Sequence, residues 1–271
     1  HLHVVMRRPF GAIPEGESWI PFHADWLSRL ESVDGILNLS GEPIARLWHS
    51  PSQRQSLRTS RVGLCRQILT RIAHGEHRPK FWINASATGY YGDAKDSPLT
   101  EGCLSGKGFL ASLCQEWEQP VMESATIGVR EIRLRFGVVL GHQGFLKTIL
   151  PWFRRGLGGR LGTGQQYFPW IHLDDLAHAV LFLMGKQHFQ GACNLVAPNP
   201  ITQADFAQEL AQILGKKQHG NLPSWFLSLL PQIPREMLCS SQRVEADCLR
   251  QQGFSFAYPG LKEALLDVIP H

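Results

Sequence analysis

Short apolar runs, four to eight residues long, recur along this chain and alternate with longer stretches of helical periodicity. The runs are His3-Val4-Val5-Met6, Gly35-Ile36-Leu37-Asn38-Leu39, Phe81-Trp82-Ile83-Asn84-Ala85, Ile132 to Val139, and Ala192-Cys193-Asn194-Leu195-Val196. A strand with one wet face alternates apolar and polar residues. These runs are nearly continuous, as in strands buried on both faces of a parallel sheet. Between them, Ser52 to Ala73 carries Leu57, Leu64, Ile68 and Leu69 at helical spacing. Leu110 to Ser124 carries Leu113, Trp117 and Val121, with Pro120 expected to kink or divide the helix. Asp174 to Met184 starts on an acidic cap, and Gln203 to Leu214 carries Phe206, Leu210 and Leu214. Strands alternating with helices predict βαβ units in an α/β, doubly wound parallel sheet.

The chain has 271 residues, 43% hydrophobic and 18% charged, enough for a sizeable core in one large domain or two modest ones. Composition shifts after Gly141: residues 144–169 are rich in glycine and aromatics, and 221–234 is punctuated by proline and tryptophan. Both read as insertions covering a ligand cleft. The expected division is a nucleotide-binding domain over 1–143 and a smaller, mixed C-terminal region over 144–271, with 170–196 returning to the sheet. The net charge of +4 is small, and Arg54, Arg58 and Arg61 are spaced like one helix face. That density is too low for a nucleic-acid stripe. The six cysteines form no C-x-x-C pair and read as reduced thiols of a cytosol-like compartment. No apolar run reaches the roughly 18–20 residues of a membrane span, and the opening HLHVVMRRPF lacks the features of a secretory signal. The expectation is a cytoplasmic protein with a small-molecule substrate and neither nucleic acid nor membrane as partner.

In a doubly wound sheet the ligand lies across the carboxyl ends of the strands, so residues just past each strand matter most. Arg7 and Arg8 follow the first run. In a Rossmann fold an acid at the corresponding strand end accepts from a ribose 2′-hydroxyl, whereas arginine accommodates a 2′-phosphate. The pair therefore reads either as a preference for NADP or as solvated arginines in an exit loop. Asn38-Leu39-Ser40-Gly41-Glu42 follows the second run, where a small residue and a glycine let backbone approach a cofactor. Ser86-Ala87-Thr88-Gly89-Tyr90-Tyr91 follows the third; its hydroxyls could polarise a carbonyl or carry a proton, or simply cap a turn. His172-Leu173-Asp174-Asp175 suggests a strand-end histidine and a helix cap rather than a metal site, since no third ligand is visible.

These motifs together resemble a known family. NLSGEPI, SATGYYGD, FLASLCQEWE, RFGVVLG, RRGLGGRLGTGQQYFPWIHLDDLA and NLVAPNPITQADFAQELAQILG look like the atypical extended short-chain dehydrogenase/reductases labelled epimerase family, or sugar-nucleotide epimerase-like, proteins. The resemblance runs from His1 nearly to the end. It implies NADP(H) as cofactor. Carried over by position, Arg7 meets the 2′-phosphate beside Met6, and Leu39 and Ser40 pass the adenine-ribose and pyrophosphate. Ser56 and Arg61 reach from the following helix, and Leu140 lies near the nicotinamide end.

Two departures shape the functional expectation. Members of the family open with a strand, a glycine-rich turn and a helix that seat the pyrophosphate; about two dozen such residues have no counterpart ahead of His1. The wider superfamily also uses Tyr-x-x-x-Lys, in which lysine tunes the tyrosine. The matching helix, Phe109-Leu110-Ala111-Ser112-Leu113-Cys114, has neither residue at that spacing. The acid/base group would then be Tyr91 first, with Thr88, Ser86 or Cys114 as substitutes, or it would be absent. The expected function is an NADP(H)-dependent oxidoreductase or epimerase on a small, nucleotide-sugar-like substrate. The alternative is a non-catalytic NADP(H)-binding redox sensor.

Overall fold

The computed structural model describes residues 2–6, 17–22, 25–44, 50–217 and 220–269. Arg7 and Arg8 lie outside them. Among the described residues the strands are β1 (Leu2–Met6), β2 (Glu17–Pro21), β3 (Gly35–Asn38), β4 (Phe81–Ala87), β5 (Pro98–Leu99), β6 (Arg130–Phe136), β7 (Val138–Leu140), β8 (Trp170–His172), β9 (Gly191–Leu195) and β10 (Arg243–Val244). The helices are α1 (Pro51–Arg58), α2 (Leu64–His74), α3 (Phe109–Glu123), α4 (Phe145–Arg154), α5 (Leu173–Gly185), α6 (Gln203–Ile213), α7 (Ser224–Ser228), α8 (Gln232–Cys239), α9 (Asp247–Gln251) and α10 (Leu261–Val268).

Every strand pair is parallel. The central sheet has the order β3-β4-β6-β9, and β1-β2, β5-β10 and β7-β8 form separate pairs. The central sheet is covered on both faces, as the apolar runs require. Adjacent residues of β4 show this: Trp82 enters a core with Ile36, Ile68, Trp117 and Val121 under α2 and α3. Ile83 enters the opposite core with Leu134, Leu183 and Leu249, under α5 and α9. Side chains of successive strand residues point to opposite faces, so one run feeds both layers. Val5 and Ile20 of the β1-β2 pair pack against the first of these cores. A third cluster, with Leu140, Leu146, Phe153, Trp170, Phe206 and Leu265, holds β7, β8, α4, α6 and α10 together.

The apolar run from Ile132 to Val139 divides at Gly137. β6 stays in the central sheet, while β7 leaves it to pair with β8. The Gly137 amide donates to the Leu195 carbonyl at 3.1 Å, and a Cβ there would sit 2.9 Å from the Pro169 carbonyl oxygen. Only glycine lets backbone pass so closely. The helix expected over 52–73 is α1 and α2, joined without a break by a π-helical turn at Thr59–Gly63. Ser50 starts it with a capping box to Gln53, and Pro51 takes the first turn, where no amide is needed. α3 runs through Pro120, which falls near its end, so the expected division does not occur.

Candidate functional site at the strand ends

Asn38 closes β3 and fixes the loop that follows. Its side chain is buried; the amide nitrogen donates to Asn84 Oδ1 at 2.7 Å, and its oxygen accepts from the Ser40 amide at 3.1 Å. The turn leaves Leu39 57% exposed and Ser40 exposed, both available to a ligand. Cys65 lies beneath, bonded to the same asparagines. Burial pushes its thiol up to about 12, so it stays neutral.

Arg61 stands in the π-helical turn, a geometry often associated with function. Its Nη2 donates to the Glu42 carbonyl at 2.9 Å and its Nη1 to the Ser60 hydroxyl at 3.5 Å, while the guanidinium lies 5.1 Å from the Trp117 ring centroid. Ser60 in turn accepts from the Glu42 amide. Gly41 faces this guanidinium: a Cβ there would come within 3.0 Å of it. Burial lowers the pKa of Arg61, and no ion pair with a carboxylate is described for it. The guanidinium is half-buried, the nearby Glu42 charge offsets its desolvation only in part, and an anion joining it would offset more. Ser56 lies on the exposed side of α1, one helical turn before Ser60. Met6 is half-buried at the end of β1. The Leu140 side chain is wholly buried in the third core, which leaves its backbone for any contact with a cofactor.

The loop after β4 is organised by a buried ionic network. Glu118 of α3 takes Arg135 Nε and Nη2 at 2.9 Å each and the Ser86 hydroxyl at 2.7 Å. Arg133 joins from the same strand at 3.4 Å. Arg135 also donates to the Tyr91 hydroxyl at 2.9 Å and stacks 3.5 Å from the Tyr90 ring centroid. The Tyr91 hydroxyl in turn donates to Asn194 Oδ1 at 2.7 Å. Burial, only partly offset by Arg135, pushes the Tyr91 phenol up to about 12. Cys114 is likewise pushed up to about 12, by burial and then by Glu118. These contacts correct the expectation for Tyr91: a buried phenol with both hydrogen-bonding directions used is a poor proton carrier near neutral pH. Ser86 is committed to Glu118 in the same way. Thr88, the first residue past β4, has no described hydrogen bond on its hydroxyl.

On α3, Phe109 and Leu113 pack with Leu57 and Ile233 in a small apolar cluster. Glu236 of α8 closes the helix start, its two oxygens accepting from the amides of Phe109 and Leu110 at 3.0 and 2.9 Å. His172 caps α5 by accepting from the Asp174 amide at 3.1 Å, and its other nitrogen meets Asp267 at 3.2 Å. Both ring nitrogens are occupied, as a strand-end positioning role requires. Asp175 anchors the C-terminal segment through the amides of Ala257 and Tyr258.

Glu118, Asn194 and Glu236 were not singled out from the sequence. Glu118 carried a signal, since it interrupts the apolar stripe of α3 between Cys114 and Val121. Asn194 and Glu236 carried none, because their partners are remote in sequence.

Residues 222–268 match a family described as a domain of unknown function (DUF1731). An epimerase family protein of Mycobacterium leprae is 35% identical over 267 residues, covering 97% of this chain and 86% of the relative. The chloroplastic SDR39U1 homologue of Arabidopsis thaliana, also called an epimerase family protein, is 32% identical over 89% of this chain and 70% of its own. The human epimerase family protein SDR39U1 (isoform 2), crystallised with NADPH, superposes with a TM-score of 0.82 at 27% identity, over 97% of this chain and 89% of that one. MoeE5, solved with UDP-glucuronic acid and NAD, shares the fold alone, at 17% identity and a TM-score of 0.75. The nearly full-length match to the mycobacterial relative, together with the parallel sheet and its strand-end loops, shows that this chain belongs to the epimerase family proteins.

Proposed function

We propose that the chain binds NADP(H) across the carboxyl ends of β1, β3 and β4 and works as an oxidoreductase or epimerase on a small, nucleotide-sugar-like substrate. The observation that carries this reading is Arg61, a half-buried guanidinium set beside the Gly41 backbone and the exposed Ser40. Arginine's planar fork suits phosphate oxygens, and glycine allows backbone to approach them. The NADPH held by the human relative supports the choice of cofactor. Leu39 and Met6 would flank the adenosine, Ser40 and Arg61 the phosphates, and Ser56 the approach from α1. Arg7, outside the described residues, would take the 2′-phosphate. When bound, the nicotinamide supplies hydride transfer. The chain's own part is to position the substrate and handle a proton, and the hydroxyl assigned to that task is Thr88, the first residue past β4.

A second reading, an NADP(H)-binding redox sensor without turnover, is favoured by one observation. The helix matching the superfamily's Tyr-x-x-x-Lys presents Phe109 and Leu113 to Leu57 and Ile233, an apolar contact that transfers no proton. A turnover screen with nucleotide sugars and NADP+ separates the two. The enzyme reading expects turnover with at least one sugar, reduced by roughly a hundredfold or more in Thr88→Val with NADP(H) affinity retained. Cofactor binding with no turnover on any sugar supports the sensor. Full turnover in Thr88→Val removes the role given to this hydroxyl.

A further inference from the structure

Three side chains with metal-binding atoms meet in the core beneath α9, and none has a part in the site described above. They are Cys193 of β9, Cys248 of α9 and Glu101, which follows β5. One ligating atom from each lies within 4.8 Å of the other two, and both thiols are free. Cys193 is fully buried and Cys248 nearly so, while Glu101 is half-buried.

We propose that this trio binds a thiophilic divalent cation of the zinc class. Two sulfurs on a tetrahedral zinc, each about 2.3 Å from the metal, lie roughly 3.8 Å apart, and the carboxylate oxygen approaches to about 2.0–2.2 Å. The spacing of the trio contracts to those values with small side-chain movements. The carboxylate is already oriented: Glu101 Oε1 accepts from the Asn194 amide at 2.9 Å and from the Cys248 amide at 3.2 Å. These amides belong to the residue after one thiol and to the other thiol itself. The second carboxylate oxygen has no described hydrogen bond, which leaves the carboxylate with lone pairs for a metal. Water enters the fourth position from the half-exposed side of Glu101.

Charge also fits. Two thiolates, a carboxylate and a divalent ion leave one net negative charge. The Arg135 guanidinium approaches, donating to the Glu101 carbonyl at 3.3 Å. Binding releases both thiol protons to solvent. Burial holds the Cys193 proton well above the ordinary thiol range, followed in effect by the neighbouring Cys248 and Glu101. Affinity therefore rises with pH. Because Cys248 lies within residues 222–268 and Cys193 within the central sheet, the ion would pin that segment to β9.

The test is a cadmium titration of protein purified under reducing conditions and cleared of metal with a chelator. The ultraviolet thiolate-to-cadmium charge-transfer band and the thermal midpoint are followed together. The expected result is saturation at one equivalent, a raised midpoint and competition by zinc. Cys248→Ser should remove the band. Glu101→Gln keeps the carbonyl acceptor for both amides and should keep the band while weakening affinity at least as much as the roughly 10- to 100-fold loss of an outer-shell partner. Absence of the band with metal at stoichiometric level overturns the site. So does a band unchanged in Cys248→Ser, which assigns it to other cysteines. Isolation of the native protein with Cys193 and Cys248 joined as a disulfide overturns it as well.

Discussion

The phenol of Tyr91 sits between a guanidinium and an amide, and burial holds it in its protonated form against the opposing pull of Arg135 and Asn194. Its pKa rises from 10.0 to about 12 because burial penalises the phenolate. The folded protein therefore binds this proton more tightly than the unfolded chain does. The stability so gained is complete below about pH 10 and is lost as pH climbs toward 12. Alkaline unfolding of wild type and Tyr91→Phe should differ by that slope, with the variant flatter. At neutral pH, Tyr91→Phe leaves Asn194 and Arg135 each short of a partner and should cost about 1–3 kcal/mol in urea unfolding. An unchanged midpoint would show that water replaces the phenol. The position of Tyr91 past β4 was legible in the sequence, but its direction was not. Direction is set by Arg135, forty-four residues away in sequence, and by Asn194, 103 away. Arg61 entered through the family resemblance alone, and no sequence period announces the π-helical turn that holds it.

α3 begins against a carboxylate from another element. Its N-terminal residue Phe109 follows Gly108, a residue with φ of 114° and no side-chain cap of its own, and Glu236 of α8 supplies the missing acceptor. Glu236→Ala should therefore lower stability by about 0.5–2 kcal/mol, the usual worth of a helix cap. It should also speed hydrogen exchange at the Phe109 and Leu110 amides more than at amides of β4. Equal protection in both proteins would show that the helix start is closed by something other than α8. Such a cap is invisible locally, because no Ser, Thr, Asp or Asn precedes the helix. β1, β3, β4, β6 and β9 were readable from apolar runs, whereas β2, of sequence ESWIP, presents no such run. β5, β8 and β10, of two or three residues, have no room for a period, and their pairing depends on partners elsewhere in the chain. Pro120 is expected to kink or divide α3, and the helix runs on through it to Glu123 without the hydrogen bond a Pro120 amide would have given to the Glu116 carbonyl.

Taken whole, the molecule is a parallel sheet covered on both faces, with a segment over 222–268 reaching back to touch α3 at Glu236 and the core of the sheet at Val244 and Cys248. Burial of both faces was predictable from the runs, and Leu134, buried completely in β6, is a test of it. Leu134→Ala should cost about 2–5 kcal/mol in equilibrium unfolding, and a change under about 1 kcal/mol would mean that the face is not packed as described. The cofactor reading is tested by calorimetric titration of NADPH and NADH into wild type, Arg7→Ala, Arg61→Ala and Arg61→Lys. A charge-assisted bond to phosphate is worth about 1.5–3 kcal/mol, or roughly ten- to a hundredfold in affinity. Wild type should bind NADPH more tightly than NADH, with Arg7→Ala erasing the preference. Arg61→Ala should weaken both cofactors by roughly ten- to a hundredfold, and Arg61→Lys should fall between it and wild type. NADPH affinity unmoved by Arg61→Ala would contradict the account, because the phosphates would then be seated away from the guanidinium on which it rests.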